Sequence, residues 1–190
     1  MQKGDYLTTI LKSEKTVFTS KDVAILWQDS GTPATWVRIG YYVKKGDLIR
    51  LRNGLYAKSK DYNKLEVATR IYTPSYISFE TVLAKEGLIF QMHGPIFVAS
   101  YTTRKLTIDN QEYSFCKIKD EVLSNALGVE NSDEMSIASK ERAFLDTLYI
   151  NNDYYFDNLR SLDWGKVFQI LPIYNNQRMT KKVRLLQKSL

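Results

Sequence analysis

The segment Leu48-Ile49-Arg50-Leu51-Arg52-Asn53-Gly54-Leu55-Tyr56-Ala57-Lys58 alternates apolar and polar residues around Asn-Gly. That dipeptide between alternating runs is the strongest short hairpin signal. A two-residue loop pairs Arg52 with Leu55 and Leu51 with Tyr56. Ile49, Leu51 and Tyr56 then share one face, and Arg50 and Arg52 share the other. The apolar face of so short a hairpin must be covered, since an isolated hairpin is barely stable in water.

The residues before the hairpin read as that cover. Tyr6, Leu7, Ile10 and Leu11 have helical spacing, which predicts a first helix over Asp5 to Lys12. Thr19-Ser20 supplies an N-cap with Asp22 in the following turn, and Val23, Ala24 and Trp27 fall on one face of a second helix. Gln28 to Gly31 is a polar turn, and Thr32-Pro33 offers a capping hydroxyl and an N1 proline for a third helix ending at Lys45, with Gly46 at C′. Three helices closed by a basic hairpin are expected to form a winged helix-turn-helix over residues 1–60, whose third helix would enter a DNA major groove.

At roughly 100° per residue, Trp36, Ile39 and Val43 form one stripe of the third helix with Gly40 beside it. This stripe is expected to face the core. Ala34, Arg38, Tyr41 and Lys45 lie opposite, with Thr35 and Tyr42 at one edge and Lys44 at the other. Arg38 can give two hydrogen bonds to a guanine edge, Thr35 can serve a base or phosphate, and Tyr41 and Tyr42 can reach phosphates. Lys45, Arg50, Arg52 and Lys58 are expected on phosphates, with sequence-neutral, salt-dependent affinity. Ser20 and Thr32, hydroxyls at two helix starts, complete the candidate DNA-binding set.

Charge supports an acidic partner for this part of the chain. The formal net charge is +6, and residues 1–60 hold eleven Lys and Arg against five Asp and Glu, the whole excess. Residues 61–177 hold eleven against sixteen, and the last thirteen carry five cations and no carboxylate side chain. Those five, Arg178, Lys181, Lys182, Arg184 and Lys188, would form a basic face on a helix over Met179 to Gln187, with Val183, Leu186 and Leu190 inward. That face is either a second DNA surface or simply solvated.

Ser59 to Lys64 reads as a link to a second, mixed α+β unit over residues 61–190. Helices are predicted around Leu65, Ala68 and Ile71, over Ser78 to Glu86 ended by Gly87, over Ser139 to Ile150, and over Trp164 to Leu171, broken at Pro172. Arg142 and Asp146 are spaced for an i,i+4 pair. Strands are predicted at Pro95 to Tyr101, Arg104 to Ile108 and Glu112 to Ile118, the last two joined around Asp109-Asn110-Gln111. The fold class is therefore α+β. With 44% hydrophobic and 25% charged residues a packed core is expected, and Tyr72, Tyr76, Tyr101 and Tyr149 are assigned to packing.

Catalysis finds little to work with. A single cysteine and a single histidine leave no multi-cysteine zinc site and little acid/base chemistry, so no metal and no cofactor is expected. Cys116 reads as a filler on an alternating strand and His93 as a turn residue. Asp120-Glu121 and Asp133-Glu134 are adjacent pairs that point to different faces. No apolar run approaches 18 residues, and Met1 to Ile10 lacks the order of a signal peptide, so no membrane partner and a cytoplasmic protein are expected. An enzyme is not expected.

Four segments, in order, resemble the AbiEi-type antitoxins, the transcriptional regulators of type IV toxin–antitoxin pairs. They are Phe18-Thr19-Ser20-Lys21-Asp22, the run from Val43 to Tyr56, Pro74 to Leu83 with Gly87-Leu88-Ile89, and Ala138 to Tyr149. The first two are common to many winged-helix regulators; the last two, at this spacing, narrow the choice. The resemblance implies an N-terminal winged helix that represses its own operon at promoter inverted repeats of double-stranded DNA, and a C-terminal antitoxin domain. It also implies a nucleotidyltransferase-like toxin as functional partner, neutralised without a stable complex. Gly40 and Tyr42 depart from the bulkier or aliphatic residues expected on the recognition helix. The competing reading is a stand-alone winged-helix regulator, or a protein-interaction module that docks a basic partner on its acidic middle.

Overall fold

A computed structural model describes residues 5–29, 33–90, 94–132 and 134–189. The chain is mixed α+β and divides into two compact units, Met1–Ile71 and Tyr72–Leu190.

The first unit runs α1 (Asp5–Lys12), β1 (Val17–Thr19), α2 (Ser20–Leu26), α3 (Pro33–Lys45), β2 (Ile49–Arg52), β3 (Leu55–Ala57) and α4 (Lys64–Ile71). Its three strands form an antiparallel sheet in the order β1-β3-β2. Thr19 caps α2 through a reciprocal box, its hydroxyl accepting from Asp22 N while the Asp22 carboxylate accepts from Thr19 N at 2.8 Å. The hairpin turns at Asn53-Gly54, where Gly54 has φ +79°, and Arg52 pairs with Leu55 as expected. Leu51 does not pair with Tyr56. A bulge leaves Leu51 as the extra residue and sets Arg50 opposite Tyr56, yet the alternation survives, with Arg50 and Arg52 exposed. Ile10, Phe18, Val23, Trp27, Ile39, Tyr42, Leu48 and Tyr56 make the core, each fully buried apolar side chain contributing about 1.5–3 kcal/mol.

The boundary falls eleven residues beyond the expected one at Lys60, for a reason hydropathy does not carry. Strand β1 lies at a sheet edge, and an edge presents unpaired N–H groups. The buried Glu66 of α4 takes them: its Oε2 accepts from Thr16 N and Val17 N, each at 2.9 Å, and its Oε1 from the Thr16 hydroxyl at 3.0 Å. Asn63 N donates to Thr16 Oγ1, and Arg70 pairs with Asp22 at 3.0 Å. The polar stretch expected to be a link is thus anchored, with Tyr62 buried, and α4 belongs with the first unit.

The second unit holds β4 (Ser75–Ile77), α5 (Phe79–Lys85), β5 (Ile96–Ser100), β6 (Arg104–Ile108), β7 (Gln111–Lys117), α6 (Asp120–Leu123), β8 (Val129–Asn131), β9 (Ser136–Ala138), α7 (Lys140–Ile150) and α8 (Trp164–Ile170). A 3-10 turn over Leu171–Tyr174 contains Pro172, and α9 (Gln177–Lys188) follows. The six strands form one mixed sheet in the order β6-β7-β5-β4-β9-β8. Two pairings, β5 with β7 and β4 with β9, are parallel. Asp109 and Asn110, at φ +47° and +59°, make the tight turn between β6 and β7. The short strands β1, β4, β8 and β9 and the one-turn helix α6 have no counterpart in the sequence reading.

Within the apolar core of this unit lies a buried charged cluster. Arg142 and Asp146 of α7 are both fully buried. The Arg142 guanidinium makes five hydrogen bonds, to Asp146 Oδ1, the Tyr76 hydroxyl and the carbonyls of Val122, Asn125 and Leu127. A guanidinium has five N–H donors, so all are used. The Asp146 carboxylate accepts four bonds, from Arg142, Tyr174, Tyr76 and Ser78. Burial, and then the Asp146 charge, push the Tyr76 and Tyr174 phenols above the ordinary tyrosine range, so both keep their protons and donate.

Candidate nucleic-acid interface

The helix α3 follows the sequence reading in its limits but not in its rotation. Its buried residues are Thr35, Ile39 and Tyr42; Val43 is half-buried, and Trp36 is 51% exposed. The inward stripe is therefore turned by roughly 60° from the expected one, at about 100° per residue. The cause lies in α1 and α2. Trp27 and Tyr42 pack with tilted rings, centroids 6.1 Å apart, Tyr6 meets Trp27 edge-on at 5.2 Å, and Trp27 Nε1 donates to the Tyr6 carbonyl at 2.8 Å. Asp29, after α2, accepts from the Thr35 hydroxyl at 2.6 Å and holds it inward.

Several of the proposed contact residues are turned inward or engaged within the unit, Thr35 and Tyr42 by this rotation and Ser20 and Lys58 by their own local contacts. Thr35 and Tyr42 are buried in the core, and Ser20 is buried at the start of α2, its own N–H donating to the Gly54 carbonyl of the hairpin turn. Arg38 is engaged inside the unit. Its guanidinium lies 3.9 Å from the Tyr6 ring centroid and 5.5 Å from that of Trp27, and one Nη reaches Asp29 at 3.4 Å. Lys58 is half-buried and donates to the Ser13 carbonyl at 2.7 Å. Thr32 lies outside the described residues, as do Ser30, Gly31, His93, Asp133 and Leu190.

What the unit presents outward is Tyr41 at 54% exposure, Lys44, Lys45, Arg50 and Arg52, together with two residues the sequence reading did not offer, Trp36 and Val37. Their size made Trp36 look like core; no local signal distinguishes a core tryptophan from an exposed one. Lys45 pairs with Asp47 at 2.9 Å, which holds its ammonium pKa up through that hydrogen bond and charge. The unit to Ile71 contains thirteen Lys and Arg against seven Asp and Glu, so the moved boundary leaves its charge at +6.

On α9, Met179 and Val183 are buried and Leu186 is half-buried. Arg178 and Lys182 share Asp153, each at 3.7 Å, an exposed arrangement worth little in stability. Lys181, Arg184 and Lys188 instead lie exposed along one stripe.

Burial, with the Glu80 carboxylate adding to it, pushes the Cys116 thiol up, which disfavours the nucleophilic thiolate. Among the described residues no group of His, Cys, Asp and Glu is arranged to hold a metal ion, and no helix is long and apolar enough to cross a membrane. No protein-family model matches the chain, and no curated protein matches it in sequence.

Proposed function

We propose that the chain is a DNA-binding transcriptional repressor whose first unit is a winged helix-turn-helix, acting as the antitoxin of a type IV toxin–antitoxin operon. One observation carries this reading: α3, with its outer face exposed, leads through Gly46-Asp47-Leu48 into a hairpin bearing exposed Arg50 and Arg52, in the unit that contains the chain's net charge. The order α1-β1-α2-α3-β2-β3 with the sheet β1-β3-β2 supports it, as does the bond from Ser20 N to Gly54 O that ties the hairpin turn to α2. Arg50 and Arg52 then bind phosphate. The α9 stripe of Lys181, Arg184 and Lys188 is a second phosphate-binding surface in this reading, which also entails a cytoplasmic location and a nucleotidyltransferase-like toxin as functional partner.

Binding to duplexes from the chain's own upstream region, titrated against salt, tests it. Changing Arg50 and Arg52 to Gln lowers affinity for all sequences and flattens the logarithmic salt slope by about two units, near 0.9 per lost phosphate contact. An unchanged slope removes the hairpin from the interface, and the same titration with Gln at Lys181, Arg184 and Lys188 decides the role of α9. Co-expression with a nucleotidyltransferase-like protein from a neighbouring gene restores growth if the chain is its antitoxin; persistent toxicity reduces the reading to a stand-alone regulator.

A further inference from the structure

The outer face of α3 is poor in the groups that read most bases. Guanine is taken by a bidentate Arg or Lys, adenine by Asn or Gln, and cytosine by a carboxylate. The sequence Pro33–Lys45, PATWVRIGYYVKK, contains no Asn, Gln, Asp or Glu. Its one arginine, Arg38, is stacked on Tyr6 and held by Asp29, and Lys45 is held by Asp47. The central turns expose Trp36, Val37 and Tyr41, at 51%, 73% and 54%. Clustered apolar exposure of this kind marks a binding face.

A second, independent feature lies in the same turns. Gly40 sits inside the helix, where glycine costs about 1 kcal/mol relative to alanine, and among the described residues no neighbour is close enough to require it. Its backbone is not in the left-handed region, and a Cβ added there would meet no atom within 4 Å. A glycine with no internal reason, beside an exposed apolar face, fits close approach of a ligand to the helix backbone.

The apolar group that projects furthest from the major-groove floor is the thymine C5-methyl, the usual target of apolar side chains there. A polyanion bearing such methyls also matches the surrounding charge, with Lys44 on the last turn of α3 and Arg50 and Arg52 on the hairpin that follows. We infer that α3 selects its operator by apolar contact of Val37, Trp36 and Tyr41 with thymine methyl groups, at A·T pairs, rather than by hydrogen bonds to guanine. This inference rests on the DNA-binding reading above.

The test selects duplexes from a randomised library with the full chain, then replaces each thymine of the preferred duplex in turn by deoxyuridine, which removes the methyl and keeps the base pair. Affinity is expected to fall about fourfold at each contacted thymine, the worth of one buried methyl. Val37→Ala, at an exposed helical site, abolishes that penalty at one position while penalties at the other contacted thymines persist. Gly40→Ala weakens the preferred duplex although it favours the helix. Equal affinity for thymine and uracil duplexes at every position overturns the inference and leaves DNA binding standing, as does an Arg38→Ala variant that relaxes selection at a guanine. Failure to retain any duplex at low salt overturns the DNA-binding reading itself. A DNA-free dimer that Val37→Asp converts to monomer makes this face a contact between copies of the chain, and that outcome also overturns the inference.

Discussion

Arg38 in the first unit and Arg142 in the second are both held by aromatic rings and a carboxylate, and the two regions use that arrangement in opposite ways. Arg38 lies over Tyr6 and Trp27 with one long contact to Asp29 and keeps 29% of its side chain in solvent. Arg142 lies 5.2 Å from the Tyr76 ring and 5.7 Å from that of Tyr174, has all five donors bonded and is fully buried. A buried ion pair offsets its desolvation only when every remaining donor and lone pair is satisfied. Unit two meets that condition by drawing partners from β4, α6, α7, the 3-10 turn and the loop before β8. Unit one has an aromatic-apolar core and leaves its excess cations at the surface. The difference separates a unit that buries a cation with every donor bonded from one that keeps its excess cations at the surface and buries a carboxylate, Glu66, against a strand edge.

The largest expected effect is that of Arg142→Met. It leaves Asp146 buried without its counter-charge, which costs about 3–5 kcal/mol. Chemical denaturation followed at Trp164, in α8, should record this loss, while hydrogen exchange in α2 and β3 of the first unit stays as in the parent. Equal loss of protection in both units would break the comparison, because the two would then unfold as one. Restoring most of the lost stability with Asp146→Leu in the same chain would sharpen it, by assigning the cost to the unpaired charge.

A smaller effect is expected for Glu66→Ala, which strips the Val17 N–H of β1 and the N–H and hydroxyl of the preceding Thr16 of their acceptor. Losing hydrogen bonds to a charged group costs about 2–3 kcal/mol here. A fragment ending at Ile71 should therefore melt well above one ending at Lys60. Equal melting temperatures would return α4 to the second unit.

The smallest effect concerns pH. The folded pKa values of Tyr76 and Tyr174 are raised, chiefly by burial and then by Asp146. Their contribution is fully present below the unfolded tyrosine value near 10 and is lost as pH rises toward the folded values, since the unfolded chain releases those protons first. Each phenol lowers stability by at most about 1.4 kcal/mol per pH unit above 10. Urea midpoints of the second unit should fall between pH 10 and 11, and Tyr174→Phe should fall less steeply. A midpoint equally steep in that variant would remove Tyr174 from the titration.

The parts of this fold that sequence made legible are those set by neighbours along the chain. Thr19 with Asp22, Ser139 before Arg142, Gly46 after Lys45, Asn53-Gly54 and Asp109-Asn110 each act within four residues, so helix limits and turns followed from residue type. Arg142 and Asp146 were legible as a pair, but not as buried, because the spacing of four residues is the same on a surface helix and in a core. The three-residue strands β1, β4, β8 and β9 are too short for alternation to register, and they exist through pairing with distant strands.

The sequence by itself therefore determined the α+β class, the three helices and hairpin of the first unit, and the concentration of net charge there. Tertiary structure alone decided which side of α3 faces out. Tyr6, Trp27 and Asp29 come from other elements, and their stacking and hydrogen bonds turn the helix so that Thr35 and Tyr42 are buried while Trp36 and Val37 are exposed. Rotation about a helix axis is set by what lies across the interface, and an amphipathic pattern in which large apolar residues occupy both sides cannot specify it.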